Sequence, residues 1–283
     1  MIMLILRKKS LTIPYVLLGI CLLTSCALVQ PSNQIRPGVQ CMIYDSPANH
    51  IYSHRGASKE AEEHSFAEYD LAIEYGSKNI EQDVVLSKEG TLYVSHDESA
   101  ERLTGDRKLY EDMRDSEIDR LRTRSGNHIL KLSDVFDRYG ERICYIIELK
   151  SGDMDTIRAF QRLVDRYGYQ DHIVVQCYSA KALQALEHSY PNMPKLYLCE
   201  DQSAFERGCE LSYVDILSVN KALCNDENCT LAHKNNKAFN VWILNTEDEI
   251  RMAIDLGEDT YFTDDTKLAL SIENTYGEKK RDG

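Results

Sequence analysis

NIEQDVVLSKEGTLYVSHD, residues 79–97, decides the fold and raises the functional question at the same time. Ile80, Val84 and Val85 form the apolar run of a strand buried on both faces, the kind found in parallel sheets covered by helices. Yet Glu81 and Asp83 stand where a core strand carries valine or isoleucine. Residues i and i+2 of a strand share a face, so the two carboxylates point the same way. Gly90 then marks a turn, which predicts that Thr91 to Ser95 run back along the strand and return His96 beside Glu81 and Asp83.

Working outward, similar β-rich runs occur at 50–54, 143–149, 172–177, 194–199, 214–219, 239–244 and 259–263. Segments of helical periodicity separate them, at 65–75, 132–139, 153–167, 179–189, 201–208, 229–237 and 246–256. Ser133, Ser179 and Thr246 are placed to cap helices, Thr246 with Glu249 as a capping box, and Gly76, Gly140, Gly168 and Gly257 to end them. Strands alternating with helices in this number predict an α/β fold, a closed (β/α)8 TIM barrel forming a single domain over residues 50–275. An open doubly wound sheet would carry a GxGxxG phosphate loop after its first strand, and none is there. Residues 276–283 read as a polar C-terminal tail.

The chain has 283 residues, 43% hydrophobic and 28% charged, which is ordinary globular composition. Its net charge of −13, without a basic patch past the N-terminus, excludes a general nucleic-acid binder. Residues 1–25 read as a signal peptide, with Arg7, Lys8 and Lys9 ahead of a short apolar run. Leu23-Thr24-Ser25-Cys26 resembles a bacterial lipobox, which makes Cys26 the lipidated residue and 26–49 a tether. The expected location is the extracytoplasmic face of a bacterial cell membrane, held by a lipid anchor; an uncleaved anchor is the alternative. Among the nine cysteines, Cys144, Cys177 and Cys199 fall in apolar runs, whereas Cys209, Cys224 and Cys229 lie in polar surroundings where a disulfide could form.

Active sites of such barrels lie at the C-terminal ends of the strands. Strand one ends in His54-Arg55-Gly56, strand two carries Glu81 and Asp83, and strand three ends in Glu148-Leu149-Lys150. Three carboxylates converging in a poorly solvated mouth repel one another, which raises a pKa or demands a cation. Oxygen-only ligation suits one hard divalent ion, Ca2+ or Mg2+. The alternative is structural ion pairing with Arg55 and Lys150, but inward acidic pairs on a central strand are unfavourable without a purpose. His54 and His96 would flank the cation, one to accept and one to donate a proton. The remaining histidines, including His50, His128 and His233, show no such setting. A cation, two imidazoles and two fixed positive groups suit displacement at phosphorus.

HRGAS (54–58), EHSFAEYDLAIEYG (63–76), IEQDVVLSKEGTLYVSHD (80–97), RLTG (102–105), IIELK (146–150), IVVQCYSAKALQAL (173–186) and VWILNTEDEIRMAIDLGEDTYFTD (241–264) resemble the glycerophosphodiester phosphodiesterase family. The resemblance covers nearly all of the chain after residue 50, and it implies metal-dependent hydrolysis of glycerophosphodiesters to an alcohol and glycerol 3-phosphate through a cyclic phosphate. It implies His54 as general base, His96 as general acid, and Glu81, Asp83 and Glu148 as metal ligands. Arg55 and Lys150 resemble the phosphate contacts, and Glu63 the acid of the family's Glu-Asn-Thr motif. Trp242 resembles an aromatic of the substrate pocket, although it reads equally as barrel core. Two departures stand out: Glu63-His64-Ser65 replaces Glu-Asn-Thr, and the proline usual after Thr263-Asp264 is missing. The implied partners are a small-molecule substrate and a membrane; no protein partner is predictable.

Overall fold

The computed structural model describes residues 45–281. The signal peptide, Cys26 and most of the tether lie outside the described residues. Among these, nine strands form one sheet: β1 (Ile51–Ser53), β2 (Asn79–Leu86), β3 (Leu92–Val94), β4 (Cys144–Leu149), β5 (Ile173–Cys177), β6 (Lys195–Cys199), β7 (Ile216–Asn220), β8 (Ala238–Trp242) and β9 (Thr260–Thr263). Each of β4 to β9 pairs parallel with the next, β4 pairs with β2, and β1 pairs with both β2 and β9. The sheet therefore closes on itself as the predicted eight-stranded parallel barrel, with a helix following each barrel strand. β3 stays outside that ring. It runs antiparallel to the end of β2, pairing Val94 with Val84, which is the return leg that Gly90 predicted.

Strand parity positions the site. All of β4 is buried, with Tyr145, Ile147 and Leu149 packing outward in the core beneath the helices, and Cys144 and Ile146 inward in a smaller barrel-interior core with Tyr52, Val174, Leu196 and Phe262. Glu148 shares the inward parity, one step nearer the C-terminal end. The register then sets Asp83 opposite Glu148, and Glu148 opposite Gln176. The barrel floor is thus apolar and its mouth polar.

The predicted caps Ser179 and Thr246 hold, each accepting a backbone N–H as Ser65 also does, and Gly76, Gly168 and Gly257 end their helices in the left-handed region. Ser133 is a correction. The helix Leu132–Tyr139 is capped two residues earlier, at Lys131, whose N–H the Asp134 carboxylate accepts at 3.2 Å. The polar stretch 107–131 is not a bare loop, because Tyr110, Met113, Ile118 and Ile129 pack with Val85 and Tyr93 into a third core. Residues 276–281 are not a trailing tail either. They continue as helix, and Arg281 reaches Glu258 and Glu273, both fully buried. Cys209 and Cys229 are buried rather than in polar surroundings, and no disulfide is present among the described residues. No helix among these residues is long and apolar enough to cross a membrane.

Candidate active site

The mouth of the barrel holds a cavity of about 220 Å³ lined by His54, Arg55, Glu81, Asp83, His96, Glu148 and Lys150, with Gln176, Tyr178, Leu198, Trp242, Ile243 and Phe262 across from them. Polar groups following β1, on β2, at the end of β4 and after β3 occupy one side, and the other has Gln176 of β5 with aromatic and aliphatic groups from just past β5 and from β6, β8 and β9. Trp242 packs beside the barrel-interior core and also lines the cavity. A second cavity of about 430 Å³ shares His54 and Arg55 and is bordered by Ser58, Lys59, Glu63, Asn245 and Asp264.

The three carboxylates are buried, and one oxygen from each lies within 4.8 Å of the others. Their surroundings treat them differently. Burial, followed by the neighbouring Asp83 charge, pushes Glu148 up to about 8. Burial also opposes ionisation of Asp83, but a hydrogen bond from His64 and the charges of Lys150 and Arg55 overcome it and hold its carboxyl well below the usual range. Asp83 Oδ1 is buried and makes no hydrogen bond. A buried acceptor left open, ringed by two more carboxylates, fits a hard divalent cation, and the donor set is all oxygen.

Arg55 is held in the left-handed region at φ 58°, where its N–H donates to Glu81 Oε2 at 3.1 Å. Its guanidinium donates to Glu63 Oε2 at 3.0 Å, with Nε 3.6 Å from Asp83 Oδ2. Glu63 is also gripped by both terminal nitrogens of Arg102, so it fixes Arg55 from behind. Lys150 Nζ lies 2.8 Å from Glu148 Oε1 and 3.6 Å from Asp83 Oδ1. Gly56 permits the bend that follows: its φ is 106°, and a Cβ there would stand 2.5 Å from Glu68 Cγ. Gly56→Ala is expected to destabilise the protein by about 2–4 kcal/mol, read as a lower denaturant midpoint at unchanged m.

The two predicted histidines face the same cavity from different elements, His54 just past β1 and His96 just past β3. His54 Nε2 is 3.7 Å from Glu81 Oε2, and its Nδ1 is 2.6 Å from Asp264 Oδ1. Burial would lower its pKa, but the Glu81 charge and the Asp264 hydrogen bond prevail and raise it. His96 Nδ1 pairs with Asp97 Oδ1 at 2.8 Å, and burial lowers its pKa.

Three residues of the site went unread in the sequence. Asp264 sits just past β9, at the C-terminal end of a barrel strand, and that position was its signal. Gln176 donates to Glu81 Oε1 at 2.6 Å. His64, read above only as a departure from the family motif with no role of its own, donates to Asp83 Oδ2 at 2.9 Å. His50 is likewise buried, its Nδ1 2.8 Å from the Asp259 carbonyl, outside the site.

The model of the glycerophosphoryl diester phosphodiesterase family matches residues 54–268. A glycerophosphodiester phosphodiesterase of Bacillus subtilis is 26% identical over 253 residues, spanning 79% of this chain and 86% of its own length. A namesake from Caldanaerobacter subterraneus is 24% identical over 237 residues, spanning 78% and 96%. Among solved structures, an Oleispira antarctica phosphodiesterase in complex with its product sn-glycerol-3-phosphate superposes with a TM-score of 0.72 at 22% identity, over 80% of this chain and 97% of that one. These likenesses and the mouth geometry agree, and the chain belongs to the glycerophosphoryl diester phosphodiesterase family.

Proposed function

We propose that the protein hydrolyses glycerophosphodiesters to an alcohol and glycerol 3-phosphate, with His54 and His96 as its acid–base pair. The observation that carries this reading is the meeting, in one cavity, of three buried carboxylates, two histidines and two fixed cations. Glu81, Asp83 and Glu148 would hold one divalent cation, Ca2+ or Mg2+, which when bound lowers the pKa of a glycerol hydroxyl and offsets phosphoryl charge. Arg55 and Lys150 flank those carboxylates and bind the phosphoryl oxygens. Asp264 keeps the His54 proton on Nδ1, so the Nε2 lone pair takes the proton of the glycerol hydroxyl. That hydroxyl forms a new bond to phosphorus as the bond to the departing alcohol breaks, and His96 gives the alcohol oxygen its proton. Water then opens the cyclic phosphate with the two imidazoles in reversed roles. The apolar wall around Trp242 takes carbon parts of the substrate. Deacylated phospholipids or teichoic-acid-like polymers are the substrates reached by an enzyme lipid-anchored through Cys26 on the extracytoplasmic face.

Release of glycerol 3-phosphate from glycerophosphocholine tests the reading. Turnover that falls to background with chelator, and returns with excess Mg2+ or Ca2+, is expected. Binding of the diester without turnover would overturn it in favour of a capture protein.

A further inference from the structure

His64 is the departure from the family motif that touches the site. Its side chain is 2% exposed, and its backbone lies in the left-handed region at φ 58°, a conformation in which His and Asn are both enriched. A carboxylate oxygen only accepts, so the contact with Asp83 Oδ2 places the imidazole proton on Nε2. Nδ1 is then an acceptor, 2.9 Å from the Tyr69 hydroxyl, which donates to it. Tyr69 is itself fully buried. The ring is thereby fixed at both nitrogens, and it occupies one oxygen of Asp83 while Oδ1 stays open.

The other two carboxylates are held differently: Gln176 donates to Glu81 Oε1 while the Arg55 N–H takes Glu81 Oε2, and Lys150 forms an ion pair with Glu148 at Oε1. A carboxylate with one oxygen held by a buried donor is oriented to offer the other. Mg2+ needs six ligands in near-ideal octahedral geometry and takes carboxylates well one oxygen at a time. Ca2+ favours six to eight ligands and often chelates both oxygens of a carboxylate.

We infer that His64 is a positioning residue that commits Asp83 to ligation through one oxygen and so biases the site toward Mg2+ over Ca2+. The inference rests on the reading of Glu81, Asp83 and Glu148 as cation ligands. An asparagine at 64 keeps the favoured backbone conformation but is too short to reach Asp83, because its amide ends near where the imidazole Nδ1 lies. A glutamine can place its amide nitrogen near the Nε2 position.

Calorimetric titration of chelator-stripped protein with Mg2+ and with Ca2+ tests this without reference to turnover. The wild type is expected to bind Mg2+ at least as tightly as Ca2+. His64→Asn shifts the ratio of the two Kd values about tenfold toward Ca2+, and His64→Gln returns it most of the way. An unchanged ratio in His64→Asn, or a wild type that prefers Ca2+, would overturn the inference while leaving the cation reading intact. No heat with either ion from folded wild type would remove both.

Discussion

Replacing His54 with alanine is expected to lower kcat on glycerophosphocholine by about 10³-fold with KM within about threefold of wild type, because proton transfer is lost and ground-state binding is not. The cations proposed to bind the phosphate are Arg55 and Lys150, and neither depends on the imidazole for its position. Arg55 is held by Glu63 and its own N–H by Glu81, and Lys150 by Glu148. His54 is also shielded from solvent. Its side chain is only 14% exposed, so bulk water is a poor replacement base. His96 differs here, with 39% of its side chain exposed. Solvent can protonate the leaving alcohol in its absence, so His96→Ala is expected to lose less, about 10²-fold. Steady-state rates of the two variants check the order; a His54→Ala enzyme within tenfold of wild type would remove the assigned base.

Why some of this was legible beforehand and some was not has a physical explanation. Glu81, Asp83 and Glu148 could be read because each interrupts an apolar run whose parity is known, and a charge at an inward position of a buried strand is conspicuous. His96 could be read because a hairpin fixes its register to β2 through Gly90. Asp264 and Asn245 carry no such contrast. They lie in polar stretches just after β9 and β8; Asp264 bonds His54, just past β1, and Asn245 bonds Asp264, so only barrel closure brings them together. Gln176 resembled an ordinary strand residue until the β4–β5 register set it opposite Glu148. His64 was obscured because a lone histidine in a loop has no periodicity to betray its burial. The stretch 107–131 concealed its core for a related reason: Tyr110, Met113 and Ile118 are spaced by short turns rather than by a long helix or strand.

Asp264 offers the sharpest test of the acid–base assignment, since the near-isosteric Asp264→Asn is expected to be worse than Asp264→Ala. Asp264 Oδ2 accepts from the Asn245 amide nitrogen at 2.6 Å, and Oδ1 accepts from Ser58 at 2.9 Å and faces His54 Nδ1. An asparagine at 264 keeps its oxygen toward the Asn245 donor, which turns its own NH2 toward His54. Nδ1 must then accept, the imidazole proton moves to Nε2, and the nitrogen facing the cavity loses its lone pair. A comparable tautomer error in other hydrolases costs up to about 10⁴-fold in kcat; about 10³-fold is expected here. Alanine imposes no tautomer and leaves the ring free to adopt the productive one part of the time, for a loss of about 10²-fold. The pH profile separates this from general damage. The base works only when neutral, so activity rises with pH through the His54 pKa. That pKa is raised in the wild type, in part by Asp264. Removing the carboxylate lowers it, and the rising limb of kcat/KM moves to lower pH in both variants. An Asp264→Asn enzyme at least as active as Asp264→Ala, or a limb that stays where it was, would mean that Asp264 does not set the protonation of His54.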